Sequence, residues 1–361
     1  MFFNELKKLE KNFIRIKKEL KESRYITENS ETDVLKFLLI DISSQALEKL
    51  SLKARRITDY FFGRTILLYT PLYISDYCRN GCLYCGFSAL NKIKRKKLSY
   101  REIEKEMSEI RNKGFNTILI LTGEDRYHSS FEYILNTIKI ARKYFSEILI
   151  EVYPLNEDEY RKLVENGLTG VTLYQETYDK NLYKKVHLFG PKKDFRWRLD
   201  AIERALKSKV KEINIGPLLG LNKNWQFDVY MTLMHARYIE KNYPDVEISI
   251  SYPRIQRSFS KTKVYPVSDK DFVKTIIITR IFLPRVQINI STREPPYIRD
   301  NLIGFGVTKM SAESKTVVGG HYITSNKEKQ FEINDNRTLE EIMSVIRTKN
   351  YRPEFNNWIK V

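Results

Sequence analysis

From residue 65 onward, short runs of Ile, Leu, Val and Thr alternate with longer stretches in which apolar residues recur every three or four positions among Lys and Glu. The short runs suit strands buried on both faces and the longer ones suit helices with a single apolar stripe, so the alternation predicts βα units around a parallel sheet. The candidate strands are Thr65–Ile74, Thr117–Thr122, Glu147–Pro154, Gly170–Gln175, Glu212–Leu219, Glu247–Pro253, Val286–Thr292 and Ile303–Lys309. Eight such units predict an α/β fold, a closed (β/α)8 TIM-type barrel. Residues 1–64 read as an N-terminal helical extension packed on the barrel, residues 65–325 as the barrel, and residues 326–361 as a C-terminal helix (Leu339–Thr348) with a short tail.

Within the first segment, Leu6, Leu9, Phe13, Ile16 and Leu20 stand at near-helical spacing among lysines between Phe3 and Arg24. A helix of this kind can lie on a membrane surface, but one packed on the outside of the barrel is the favoured reading. No apolar run approaches the roughly 20 residues of a membrane span, and the charged N-terminus lacks a signal-peptide stretch, so the expected location is cytoplasmic. The 63 Lys and Arg against 45 Asp and Glu give a net charge of +18. Because the lysines are spread along the chain beside glutamates instead of gathered with aromatics in one stripe, they read as solvated surface, and no nucleic-acid partner is expected.

The chain's three cysteines all fall in Tyr77-Cys78-Arg79-Asn80-Gly81-Cys82-Leu83-Tyr84-Cys85-Gly86-Phe87. Structural zinc takes four protein ligands and no histidine lies in this run. A disulfide framework fits still less well, because the count is odd and the chain is long enough to need no staples. Three thiolates do suit a four-iron cluster, leaving one iron for an outside ligand. S-adenosylmethionine fits that position, since its amino and carboxylate groups can chelate the bare iron. Following the first strand, the cysteine loop belongs at the C-terminal mouth of the barrel, where TIM-barrel chemistry is built. Most other strands also end on polar residues: Gly123-Glu124, Tyr153-Pro154, Gln175-Glu176, Pro253-Arg254, Ser291-Thr292-Arg293-Glu294 and Ser311. Charges there are costly unless they are paired or bind something.

The run Pro71–Phe87 resembles the radical S-adenosylmethionine enzymes. Further pieces, in order along nearly the whole barrel, resemble the aromatic-amino-acid lyases of that superfamily, on the side of the 2-iminoacetate synthases, which are tyrosine lyases of thiamine thiazole biosynthesis. They are Thr122-Gly123-Glu124, Tyr174–Tyr178, Asp194–Leu199, Gly216–Leu221, Tyr252-Pro253-Arg254, Ser291–Glu294 and Ser311–Thr316. The resemblance implies a 4Fe-4S cluster and S-adenosyl-L-methionine as cofactors. It also implies a reaction in which a 5′-deoxyadenosyl radical takes a hydrogen atom from the amino group of L-tyrosine. The Cα–Cβ bond then breaks, giving dehydroglycine (2-iminoacetate) and p-cresol.

The same resemblance implies residue roles. Cys78, Cys82 and Cys85 are the metal ligands, and Tyr84 packs by the cluster and the adenine. Thr122-Gly123-Glu124 stands where the superfamily often has Gly-Gly-Glu, and accepts from the amino group of S-adenosylmethionine; threonine in the first position is a departure. Glu176 accepts from ribose hydroxyls, Arg198 grips the methionine carboxylate, and Pro217-Leu218 floors the adenine. Arg293 holds the substrate carboxylate, with Tyr73 and Ser311 on its amino group. His187 is a candidate relay for the phenol proton, although a structural role is favoured for it. Thiazole synthase (ThiG) is the implied partner, with flavodoxin or ferredoxin as electron donor. Other possibilities are a tryptophan lyase, a non-catalytic iron–sulfur delivery scaffold, an RNA-modifying radical enzyme and the tyrosine lyase of hydrogenase maturation. The last needs cysteines for a second cluster, and none follows Cys85.

Overall fold

The computed structural model describes residues 1–22, 36–256, 259–324 and 327–357. Arg24 and the expected domain boundary at 325/326 lie outside them. The sheet is wholly parallel and closed. Strand β1 (Thr65–Ser75) pairs with β2 (Thr117–Thr122) along Thr70–Ser75 and with β8 (Lys309–Ser311) along Leu67–Tyr69. Between them run β3 (Glu147–Glu151), β4 (Gly170–Thr172), β5 (Glu212–Ile215), β6 (Glu247–Ser251) and β7 (Gln287–Ile290), in sequence order around the barrel.

Side chains alternate across each strand, so one set faces the surrounding helices and the other the barrel interior. In β1, Ile66, Leu68, Leu72 and Ile74 are fully buried, whereas Tyr69, Pro71 and Tyr73 line the cavity in the barrel mouth. The helices begin where the sequence offers caps. Ser99 with Glu102, Asn156 with Glu159 and Thr338 with Glu341 each close a reciprocal capping box, satisfying otherwise orphaned N–H groups.

Strands β3 to β7 stop two to four residues short of the expected ends, because the chain leaves the ladder there to build the mouth. The eighth strand is displaced: it is Lys309–Ser311 and not Ile303–Lys309. Gly304 and Gly306, at φ +82° and +123°, turn the chain into a tight loop bridged by Ile303 and Val307, and extended backbone resumes only after it. A ninth strand, β9 (Arg352–Glu354), was not expected from the sequence; it pairs with Thr65–Leu67 of β1. Just beyond it, Asn357 caps the N-terminal end of the barrel, its N–H donating to Glu147 Oε1 at 2.6 Å and its amide to Glu212, which is paired with Lys309.

The N-terminal helix, Leu6–Glu22, packs on the barrel as expected. Phe13 sits 5.3 Å from both Phe227 and Tyr230 of helix Trp225–Asn242, and Leu6, Phe13 and Ile16 are buried. Its apolar stripe is therefore consumed within the molecule. Among the described residues, no helix is long and apolar enough to cross a membrane.

Candidate active site

The cysteine loop lies at the mouth as expected, held by segments remote in sequence. Gly81 and Leu83 exchange backbone hydrogen bonds with Val186, Leu188 and Phe189, Arg79 N–H donates to Glu124 O, and Gly86 N–H donates to Gln330 O. Arg95 adds a hub, donating to the carbonyls of Asp76, Phe87 and Ser88. Gly123 has to be glycine, because a Cβ there would stand 2.3 Å from the Tyr77 carbonyl oxygen. The element after β2 and the cysteine loop thus touch backbone to backbone.

All three thiols face one cavity at the barrel mouth. Burial, with Glu124 next, pushes the Cys78 thiol up to about 11, and burial also raises Cys82 and Cys85. A cluster would take them as thiolates.

The expected S-adenosylmethionine residues meet on the same wall. Arg198, buried, donates from Nε to Tyr174 O and from Nη1 to Glu124 Oε1, each at 2.7 Å. Glu124 also accepts from Asn80 Nδ2 at 2.9 Å. Arg196, half a turn away, is exposed and paired with Asp200. Glu176, at φ +70° just past β4, is paired with Lys192 at 2.7 Å. Burial opposes its charge, but Lys192 and Arg198 outweigh it and hold the carboxyl below its usual range. Thr122 lines the cavity with a hydroxyl that has no hydrogen-bond partner among the described residues. Leu218 lines it too; Pro217 does not, its backbone bridging Glu176 instead.

Arg293, Ser311 and Tyr73, at the ends of the adjoining strands β7, β8 and β1, line the same cavity. Neither neighbouring acid is Arg293's partner, because Glu294 pairs with Arg254 and Asp300 with Arg337. The Arg293 guanidinium stacks over the Phe331 ring, 3.4 Å from its centroid, and burial lowers its pKa. Tyr73 donates to Gln330 Oε1 at 2.6 Å, and Ser311 accepts from Thr292 N–H. Arg299, buried and paired with Asp335, donates to the Ser311 carbonyl and so fixes the end of β8.

His187 is structural. Its Nδ1–H donates to Tyr183 O and its Nε2 accepts from Tyr84 O–H at 2.7 Å; it is fully buried behind the cavity, and burial pushes it down to about 2. Tyr84 itself lines the cavity.

Sequence reasoning missed Asn80, Lys192, Tyr174, Asn289 and Glu151, all lining the same cavity. Glu151 carried a signal, as the one charge ending the apolar run Ile148-Leu149-Ile150. Lys192 carried none, because only the fold brings it to Glu176.

Residues 72–232 match the model of the radical SAM superfamily, and residues 251–352 match that of the biotin and thiamin synthesis associated domain. The chain is 36% identical to 2-iminoacetate synthase of Salmonella typhimurium over 327 residues, 90% of this chain and 87% of that protein, and equally so to the Escherichia coli enzyme. The chain belongs to the radical S-adenosylmethionine lyases. The crystal structure of the FeFe-hydrogenase maturase HydG from Carboxydothermus hydrogenoformans superposes with a TM-score of 0.85 at 30% identity, covering 99% of this chain and 83% of that one.

A radical S-adenosylmethionine lyase breaks carbon–carbon bonds with a 4Fe-4S cluster and S-adenosyl-L-methionine, and the donor set fits them. Among the described residues, no three His, Cys, Asp or Glu side chains converge on a point that would hold a single metal ion. Three thiols spread around one cavity match a cluster, which presents several irons to separate ligands.

Proposed function

We propose that this lyase acts on L-tyrosine, cleaving its Cα–Cβ bond to 2-iminoacetate and p-cresol for the thiazole of thiamine. The observation that carries the reading is Arg293, a guanidinium without an ion-pair partner among the described residues, in the wall opposite Glu124 and Arg198. A planar fork of this kind suits the carboxylate of an amino acid. Tyr73 and Ser311, beside it at the ends of the adjoining strands, suit the amino group. The 36% identity to two 2-iminoacetate synthases supports the same reading.

The cluster and S-adenosylmethionine supply a carbon-centred radical when bound. The protein's part is positioning. Cys78, Cys82 and Cys85 would hold the cluster; Glu124, Arg198 and Glu176 would hold S-adenosylmethionine; Arg293 would fix the plane of the tyrosine carboxylate, so that an N–H points toward the reacting carbon. The aromatic and aliphatic lining would keep water from the imine product, which hydrolyses readily.

Because 2-iminoacetate hydrolyses readily, direct transfer to thiazole synthase (ThiG) fits the chemistry, with flavodoxin or ferredoxin as the electron source. The test is anaerobic reconstitution and incubation with S-adenosylmethionine, reductant and each aromatic amino acid. Tyrosine-dependent 5′-deoxyadenosine and p-cresol are expected. Turnover of tryptophan but not tyrosine would overturn the substrate assignment, and detection of cyanide or carbon monoxide would move the chain to the hydrogenase-maturation reaction.

A further inference from the structure

Glu151 is the last residue of β3 and lies level with Leu121 of β2, which is level with Tyr73 of β1, so all three side chains enter the cavity in one layer. Unlike Glu124 and Glu176, each tied to a cation, Glu151 has no hydrogen-bond or ion-pair partner among the described residues. Burial, reinforced by Glu176, raises its pKa to about 7. The side chain is half-buried, and a carboxylate that an incoming ligand seals from water is costly unless that ligand completes it.

Its surroundings form a polar floor. Asn289 donates to Tyr69 Oη at 2.8 Å and to Ser251 Oγ at 3.1 Å, while its own Oδ1 is buried without a partner. Ser251 donates to Asn214 at 3.1 Å, and Asn214 donates to Tyr174 Oη at 3.3 Å. The floor therefore presents one unused acceptor, the Glu151 carboxylate, to whatever fills the barrel, while Asn289 Oδ1 is shut away from it.

The third and seventh strands of an eight-stranded barrel face each other across the axis. Arg293, just past β7, and Glu151, ending β3, are thus charges on opposite walls of one cavity, both without an ion-pair partner among the described residues. An amino acid's carboxylate and ammonium share one carbon, so both cannot reach opposite walls. What can reach Glu151 from a carboxylate held at Arg293 is the far end of the side chain.

We propose that Glu151 accepts a hydrogen bond from the phenol of the substrate, making the barrel floor a subsite for a para-hydroxylated aromatic ring and Glu151 the residue that selects tyrosine over phenylalanine. This rests on the tyrosine-lyase reading above. A site built around a donor rejects the analogue that lacks it, because the acceptor is then left buried and unsatisfied.

The test is equilibrium binding of L-tyrosine and L-phenylalanine to the anaerobic holoenzyme with S-adenosylmethionine and no reductant. Wild type and Glu151→Leu are compared, together with Glu151→Asp, which keeps the charge but withdraws the acceptor by one methylene. The preference for tyrosine should fall about 10- to 100-fold in Glu151→Leu and in the same direction in Glu151→Asp, while S-adenosylmethionine binding is unchanged. An unaltered preference in whichever variant loads its cluster would overturn the proposal. So would an equal loss of both amino acids, which would place Glu151 on the ammonium. If wild type uses tyrosine and the preference survives the substitutions, only the floor assignment fails; if wild type binds no tyrosine, the lyase reading fails and takes the floor assignment with it.

Discussion

Arg198 Nη1 and Glu124 Oε1 meet at 2.7 Å although 74 residues separate them in the chain. Both side chains are nearly buried, with 5% and 11% of their surface exposed. Breaking such a pair from one side strands a charge and costs roughly 3–5 kcal/mol, whereas removing both partners costs far less. Arg198→Met should therefore lower the melting temperature sharply, and the double variant Arg198→Met/Glu124→Leu should recover much of it. Neither should bind S-adenosylmethionine, which equilibrium dialysis reads separately from stability.

Replacing Cys82 with Ala leaves two thiols at the cavity, too few to hold four irons firmly. Iron analysis after anaerobic reconstitution should show a large loss, and reductive cleavage of S-adenosylmethionine should disappear. A variant retaining four irons per chain would remove the cysteine loop from the cluster.

At Gly123 the expected defect is mechanical. A methyl group there would press on the Tyr77 carbonyl at 2.3 Å, and since that atom is backbone the cysteine loop has to move. Overpacking of this sort costs about 1–3 kcal/mol. Gly123→Ala should keep its far-ultraviolet circular dichroism but load iron poorly.

Arg293→Lys keeps the charge and loses the two parallel hydrogen bonds that fix a carboxylate plane. Tyrosine KM should rise and productive turnover fall by about 100-fold, since a small misplacement at a reacting centre has that effect. S-adenosylmethionine affinity should hardly change, and cofactor cleavage uncoupled from product should increase. Equal losses for both ligands would mark Arg293 as structural.

Burial, with Glu212 next, raises the Glu147 carboxyl from 4.5 to about 7 at the N-terminal end of the barrel. Between those values the folded chain holds a proton that the unfolded chain has released. This group's contribution to stability therefore falls as pH rises through the window and is level above it. Glu147→Gln, neutral throughout, should gain on wild type by on the order of 2–3 kcal/mol between pH 4.5 and 8, read from denaturant midpoints at each pH.

The barrel and the cluster loop were legible in the sequence, because both are written in local order. The apolar run Thr117–Thr122 and the periodic segment Leu339–Thr348 became a strand and a helix with those same limits, and three cysteines within eight residues need only one loop to face one cavity. Strand β8 was misplaced because positive-φ glycines at 304 and 306 override an apolar run that reads as extended. Tertiary structure alone decided which charges are already satisfied. Lys192 meets Glu176, Arg254 takes Glu294 and Arg337 takes Asp300, and these pairings leave Arg293 and Glu151 without ion-pair partners among the described residues, on opposite walls. Barrel closure sets those neighbours by bringing the ends of distant strands together, so no residue's own stretch of sequence reveals whether its charge is spent on the fold or left for a substrate.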